Sequence, residues 1–315
     1  MKVTKGNIER GTFKSSDGVN DVAYFVFTNP DVKPRAIVQI SHGMQEYMLR
    51  YEDLAFYLAE NGYVVCGNDH LGHGETSKGP EDDGFMGEND GYNFVVKDLH
   101  QMTEVIKEKY PGLPVFMLGH SMGSFFCRYY ASLYPNELAG LIISGTGGPN
   151  PLGGIGLALT KLLIKFKGAK AKSPFIENLA FGAYTKRIPD AKTGKEWVTR
   201  DPELFEKYVN DPRCSFKFTL AGYKDLMTVL NLVNKKEWAA SLSKDLPIFL
   251  FSGSEDPVGD YGKGVKAVYD MLQEAGVKRV AVKLYKDARH EVHNELIGTR
   301  DSLYKDLLAW LNQVE

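Results

Sequence analysis

The sequence has few cysteines, no long apolar run and no excess of either charge. Its 315 residues include three cysteines, Cys66, Cys127 and Cys214, which lack the paired spacing of a zinc ribbon or a redox dithiol. We interpret them as buried or incidental thiols in a reducing compartment. No stretch of about 20 apolar residues could span a membrane, and the first residues lack the apolar core of a signal peptide. The sequence therefore predicts a cytoplasmic location.

The charge balance argues against a nucleic-acid partner. Lys and Arg number 38 and Asp and Glu number 40, for a formal net charge of −2. Proteins that bind nucleic acids need a surplus of basic side chains to neutralise phosphates, and this surplus is absent. The length exceeds the usual domain size of roughly 100 to 200 residues, so we expect one large domain or a domain with an insertion.

Short apolar segments alternate with amphipathic helical segments along most of the chain. Strands are predicted at residues 21–28, 35–41, 63–67, 115–119, 140–144, 247–253 and 279–285. Helices are predicted at residues 51–61, 89–109, 124–134, 264–275 and 296–312. This alternation predicts an α/β fold with a mostly parallel central sheet flanked by helices. Since no helix separates the first two predicted strands, we expect them to form an antiparallel hairpin.

The alternation stops between residues 146 and 241, a span too long for an ordinary connection. We therefore predict a core domain formed by residues 1–145 and 242–315, with residues 146–241 inserted as a mainly helical cap. The glycine cluster at the start of the insertion is not followed by a strand, turn and helix with a downstream acidic residue. No dinucleotide or other cofactor is predicted.

The central motif is GHSMG at residues 119–123. The pentapeptide alone is a weak signal, and a glycine-rich turn is the plainer explanation. It follows a predicted strand, however, and precedes a predicted helix, which is the placement of a nucleophile elbow. The two flanking glycines suit a turn in which a side chain would collide with neighbouring backbone. We predict that Ser121 is a nucleophile.

A serine hydroxyl needs a base to remove its proton, and two later segments supply candidates. His290 follows the last predicted strand and is the preferred base, with His293 as the rival. Asp256 follows the strand after the insertion and is the preferred partner of the histidine, with Glu255 as the alternative. Capping of the next helix would explain either acid equally well.

An acyl-transfer site also needs backbone N–H groups that stabilise the developing oxyanion. Met122 supplies one by its position after the nucleophile, and Met44 is expected to supply the second from the loop HGM at residues 42–44. For His42 we favour a role in bracing this loop. His70 and His73 have no third ligand at a suitable spacing, and HEVH lacks the spacing of a zinc protease motif, so no metal site is predicted.

Five motifs in this order resemble one known group of proteins. They are HGM at 42–44, NDHLGHGETS at 68–77, GHSMG at 119–123, SGSEDPVG at 252–259 and ARHEVHNE at 288–295. The chain is similar through them to the α/β-hydrolases grouped with monoacylglycerol lipases, lysophospholipases and serine aminopeptidases. The resemblance covers the sheet domain on both sides of the insertion, and the insertion itself carries no matching motif.

The resemblance implies a serine hydrolase with a cap over its pocket. It implies a catalytic triad of Ser121, Asp256 and His290, and oxyanion donors at the amides of Met44 and Met122. The expected reaction is hydrolysis of a carboxylic ester through an acyl-enzyme, on a small-molecule substrate similar to a monoacylglycerol or a lysophospholipid. A small-ester carboxylesterase, a thioesterase, a peptidase or a non-catalytic binding protein on the same fold are the alternatives.

The composition of the insertion bears on the substrate. Its many aromatic residues are expected mostly to form a small core, and some of them to line an apolar tunnel for an acyl chain. Residues 155–166 are apolar with interspersed Lys161 and Lys165. This pattern is typical of a solvated helix with one packed face, and it also fits transient contact with a membrane surface.

Overall fold

The computed structural model describes residues 6–151 and 153–314. Its strands are β1 (Asn7–Lys14), β2 (Asp21–Thr28), β3 (Ala36–Ser41), β4 (Tyr63–Asn68), β5 (Val115–His120), β6 (Gly140–Ser144), β7 (Ile248–Gly253) and β8 (Val280–Tyr285). Its helices are α1 (Glu52–Ala59), α2 (Gly91–Lys109), α3 (Met122–Leu133), α4 (Gly153–Lys167), α5 (Pro174–Phe181), α6 (Pro202–Asn210), α7 (Pro212–Ser215), α8 (Leu220–Val233), α9 (Lys236–Ser241), α10 (Lys263–Glu274) and α11 (Ile297–Val314). Two short 3-10 turns, Met48–Tyr51 and Val292–Asn294, complete the regular structure.

The strands form one sheet in the order β1-β2-β4-β3-β5-β6-β7-β8. Strands β3 to β8 pair in parallel with one another, and β2 pairs antiparallel with both β1 and β4. The predicted α/β fold with a mostly parallel sheet is confirmed. The carboxyl ends of β3, β5, β7 and β8 consequently meet at one edge of the sheet, where α/β folds place their ligands.

The predicted hairpin between the first two strands was wrong. β2 does not pair with β3, because β4 lies between them, and its hairpin partner is β1. β1 is an edge strand whose side chains are all partly or fully exposed, so its sequence, NIERGTFK, shows no apolar pattern. Its eight-residue backbone register with β2 holds it in place instead.

The two faces of the sheet carry separate hydrophobic layers. On one face α2, α3 and α10 contribute buried residues such as Leu99, Phe126 and Val268. On the other face α1 and α11 contribute Leu54 and Leu307. Each fully buried side chain of this size stabilises the fold by about 1.5 to 3 kcal/mol, so the sheet is held rigidly between its helices.

The chain between β6 and β7, which we call the inserted segment, contains helices α4 to α9 in its described residues. It is fastened to the core by Arg128, a buried residue of α3. The guanidinium donates to Gly147 O at 3.2 Å near the start of the segment and to Asn234 Oδ1 at 3.0 Å just after α8. It also lies 4.3 Å from the ring of Trp238. Burial lowers the pKa of Arg128 to about 9.

The contact of α3 with the end of β3 predicts the effect of a single methyl group. A Cβ on Gly123 would lie 2.0 Å from Ser41 O and 2.5 Å from His42 O, so Gly123→Ala must separate two backbone segments. We expect a destabilisation of about 3 kcal/mol or more, measured by urea unfolding. Gly298→Ala is the control, because no atom lies within 4 Å of its added Cβ. Equal stability of the two variants would contradict the packing described.

Candidate active site

Ser121 occupies a strained turn between β5 and α3. Its backbone angles are φ 53° and ψ −122°, a conformation that residues other than glycine rarely adopt. The turn is held because Ser121 N donates to Ser144 O at 2.9 Å and Ser124 N donates to Ser121 O at 2.9 Å. This geometry is that of a nucleophile elbow, and it places Ser121 on the wall of a large cavity.

His290 and Asp256 form a buried pair on the same side of the molecule. His290 Nδ1 lies 2.9 Å from Asp256 Oδ1, and His290 lines the same cavity as Ser121. The other carboxylate oxygen accepts a hydrogen bond from Ser252 Oγ at 2.6 Å. Burial alone would lower the pKa of His290, but the charge and hydrogen bond of Asp256 outweigh it and raise the pKa. The neighbouring Glu255 is exposed and makes no such contact.

The rival base, His293, lies elsewhere. Its ring stacks on Tyr51 with centroids 4.5 Å apart, and it is not part of the cavity wall. Burial lowers the pKa of His293 to about 4. The ring of His120 lies near both histidines, at 4.6 Å from His290 and 4.9 Å from His293. The geometry therefore favours His290 over His293 as the partner of Ser121.

The two expected oxyanion donors lie on either side of Ser121. Met122 begins α3 immediately after Ser121, and Met44 lies in the loop that follows β3. Both residues line the cavity. The loop touches the elbow, since a Cβ on Gly43 would lie only 3.0 Å from Ser121 Cβ. The residues named from the sequence are thus brought to one edge of the sheet.

The cavity has a volume of about 790 Å³, within the usual range of ligand pockets. One wall belongs to the core and carries Ser121 and His290. The other wall belongs to the inserted segment and is mostly apolar, with contributions from Leu159, Leu179, Phe181, Trp197, Leu226, Met227 and Leu230. Most of the surface that a substrate would meet beyond the reacting atoms is therefore hydrocarbon.

Sequence reasoning missed two features of the site. The inserted segment contacts the loop that carries His290 directly. His290 N donates to Trp197 O at 3.2 Å, and Glu291 N donates to Val198 O at 2.8 Å. Glu46 and Glu291 also line the cavity, on either side of the buried Arg50. The spacing of Glu46 and Arg50, four residues apart just after HGM, is the one sequence signal that could have indicated this cluster.

Potential metal ligands lie away from the nucleophile. Within residues 6–151 and 153–314, the one group of three ligand side chains close enough to share an ion is His100, Glu104 and Glu137. None of them lines the cavity. Lys107 lies 3.4 Å from both carboxylates and already supplies the positive charge that balances them. In the same part of the chain, each helix is too short or too polar to cross a lipid bilayer.

Comparison with known proteins identifies the group to which this site belongs. The family model described as serine aminopeptidase, S33, matches residues 32–297. The chain belongs to this family. It is a serine hydrolase of carboxylic esters on the α/β-hydrolase fold, so the resemblance and the enzyme class predicted from the five motifs are confirmed.

Relatives within the family are lipases and esterases. A monoglyceride lipase homolog of Monkeypox virus is 30% identical over 295 residues, covering 93% of this chain and 95% of that protein. The monoglyceride lipase of Homo sapiens is 28% identical over 289 residues, covering 91% and 86%. The crystal structure of a thermostable carboxyl esterase from Bacillus coagulans, in complex with glycerol, superimposes with a TM-score of 0.91 at 33% identity and 98% coverage of both chains.

The contact between Asp256 and His290 predicts a shift in pH dependence. His290 must be neutral to act as a base, so activity falls as the pH drops through its raised pKa. Asp256→Asn removes the charge that raises this pKa. We expect kcat to fall by about ten-thousand-fold and the acid limb of kcat/KM to move to lower pH. Glu255→Gln, at the exposed neighbour, should leave both unchanged. An acid limb that does not move in Asp256→Asn would show that another group sets the pKa.

Proposed function

We propose that the protein hydrolyses monoacylglycerols. Ser121 is the nucleophile, His290 the general base, and Asp256 the carboxylate that orients and stabilises the histidine. The amides of Met44 and Met122 donate to the oxyanion. The observation that supports this most strongly is the apolar cavity of about 790 Å³ with Ser121 on its wall, in a chain whose relatives are monoglyceride lipases over nine-tenths of its length.

The mechanism follows from the roles of these groups. His290 accepts the proton of Ser121 Oγ as the oxygen attacks the ester carbonyl carbon, and the resulting oxyanion is held by the two amides. The ester bond breaks, His290 returns the proton to the departing glycerol oxygen, and the acyl group stays on Ser121. Water, deprotonated by His290, then attacks the acyl-enzyme and releases the fatty acid.

The inserted segment is proposed to act as a cap, at residues 146–241, that supplies the acyl-binding wall. Each CH₂ group moved from water to such a wall contributes about 0.8 kcal/mol. The polar end of the cavity carries the carboxylate of Glu291, which forms an ion pair with Arg50. Carboxylates accept hydrogen bonds from hydroxyl groups and repel phosphate, which favours glycerol over a phosphorylated leaving group.

A graded series of monoacylglycerols tests this function. We expect kcat/KM to rise about fourfold for each CH₂ added, until the apolar wall is covered. Ser121→Ala should abolish turnover and labelling by a fluorophosphonate probe, while Ser132→Ala, on the helix that follows, should retain both. Faster cleavage of a peptide or thioester than of the matched ester would favour another hydrolase, and turnover by Ser121→Ala would contradict the mechanism.

We also propose that the cap touches lipid surfaces transiently. Large apolar side chains on α4 and α5 are exposed, with exposed fractions of 80% for Phe166 and 60% for Phe175. Lys161, Lys165 and Lys167 are exposed on the same helix as Phe166. Two exposed neighbours, Ile155 and Leu179, also line the cavity, so the patch adjoins the route to Ser121.

Sedimentation with lipid vesicles checks this contact. We expect binding to anionic vesicles, weakened by about tenfold for each ring removed in Phe166→Ser and Phe175→Ser. Val19→Ser is the control, because Val19 is 68% exposed on a turn of the core and far from the cap in sequence. No sedimentation of the unmodified protein, or equal loss in the control, would exclude the proposed surface.

A cytoplasmic location is proposed on the state of the thiols. Cys66, Cys127 and Cys214 are all buried and free. Free cysteines are typical of proteins kept in a reducing compartment, whereas secreted proteins generally pair them.

A further inference from the structure

The carboxylate of Glu46 lies directly behind the loop that carries Met44. Glu46 Oε1 accepts a hydrogen bond from Gly43 N and another from Tyr51 Oη, the latter at 2.7 Å. The side chain is only 2% exposed. A Cβ on Gly43 would lie 2.6 Å from Glu46 Oε1 and 3.0 Å from Ser121 Cβ. Gly43 is therefore held between this carboxylate and the nucleophile.

His42 binds the carbonyl oxygen of Gly43, whereas Glu46 binds its N–H. His42 Nε2 accepts a hydrogen bond from His70 N at 2.9 Å, and a backbone N–H can only donate. The proton of the neutral ring must then be on Nδ1, which donates to Gly43 O at 2.8 Å. Burial, together with the nearby His70 and His73, lowers the pKa of His42 and keeps the ring neutral.

The two contacts together determine where an oxyanion donor points. The Gly43 carbonyl and the Met44 N–H belong to one planar trans peptide, in which they point in opposite directions. Because His42 holds the carbonyl, the N–H of Met44 is directed to the opposite side. Because Glu46 holds Gly43 N, the preceding peptide cannot rotate to release it.

We propose that Glu46 is a positioning residue for the oxyanion hole, acting with His42 to clamp Gly43 so that the Met44 amide stays aimed at the reacting carbonyl. The inference rests on the proposed function, since it assigns a role within the same acyl-transfer site. Glu46 need not touch the substrate. Glu46 keeps the Met44 amide in place before the negative charge develops on the carbonyl oxygen. This preorganisation of the donor is the main source of transition-state stabilisation in an oxyanion hole.

The surroundings of Glu46 disfavour its charged form, so its positioning role is assigned to its hydrogen bonding. Glu46 and Glu291 share one guanidinium, with Arg50 Nε 3.6 Å from Glu46 Oε2 and Arg50 Nη2 bonded to Glu291. Burial and the charge of Glu291 raise the pKa of Glu46 to about 7. A neutral group at this position can still accept the Gly43 N–H, and it places no negative charge behind the oxyanion.

Two substitutions of Glu46 separate the effect of its side-chain length from the effect of its charge. Glu46→Gln keeps an acceptor oxygen at the same distance and loses the charge, whereas Glu46→Asp keeps the charge and is one CH₂ too short to reach Gly43 N. On a short-chain ester we expect Glu46→Asp to lower kcat by about a hundredfold with KM nearly unchanged, because a misplaced oxyanion donor acts on the transition state alone. Glu46→Gln should restore kcat to near that of the unmodified enzyme.

A control distinguishes positioning from general stability. Tyr51→Phe removes the other hydrogen bond to the same carboxylate oxygen and leaves the Gly43 contact in place, so it should lower the melting temperature without lowering kcat. A fully active Glu46→Asp, or an active Asp variant beside an inactive Gln variant, would overturn the proposal. Neither result would touch the proposed function, which is tested separately by Ser121→Ala and by the comparison of esters with peptides and thioesters.

Discussion

The turn from β5 into α3 is the constraint on which the site depends. A parallel strand must become a helix within a few residues, and Ser121 carries the resulting strain with φ 53°. The turn is possible only because Gly123 allows α3 to approach the backbone of Ser41 and His42. That approach brings the loop after β3 against the elbow, so one packing contact aligns Ser121, the N-terminus of α3 and the loop that carries the proposed oxyanion donor Met44.

The inserted segment forms part of the cavity and contacts the loop that carries His290. Its backbone carbonyls at Trp197 and Val198 accept hydrogen bonds from the loop that carries His290, and its apolar side chains form the far wall of the cavity. Arg128 ties it to α3 through carbonyl and amide oxygens and an aromatic ring. His290 and the apolar wall of the cavity are therefore fixed relative to one another by the same stretch of chain.

The buried histidines around the site differ in the direction of their pKa shifts. Burial and nearby histidines lower the pKa of His42 and of His120, and Arg50 lowers that of His120 further. His290 differs, because the carboxylate of Asp256 raises its pKa. A group whose proton affinity stands apart from that of its neighbours is what general base catalysis needs.

The sequence by itself determined the α/β class, the family and the candidate residues, because these depend on local patterns. The periodicity of strands and helices, and the motifs just after strands, can be recognised in the sequence without knowing which residues pack together. It also named Asp256 and His290 ahead of Glu255 and His293, although only as preferences. The contacts that favour Asp256 and His290 exist only in the tertiary structure, since exposure and ring contacts depend on what packs nearby. Only the tertiary structure revealed β1, because backbone pairing with β2 sets its place. Only the tertiary structure revealed the contact of Glu46 with Gly43, because that contact forms when the loop folds back on itself.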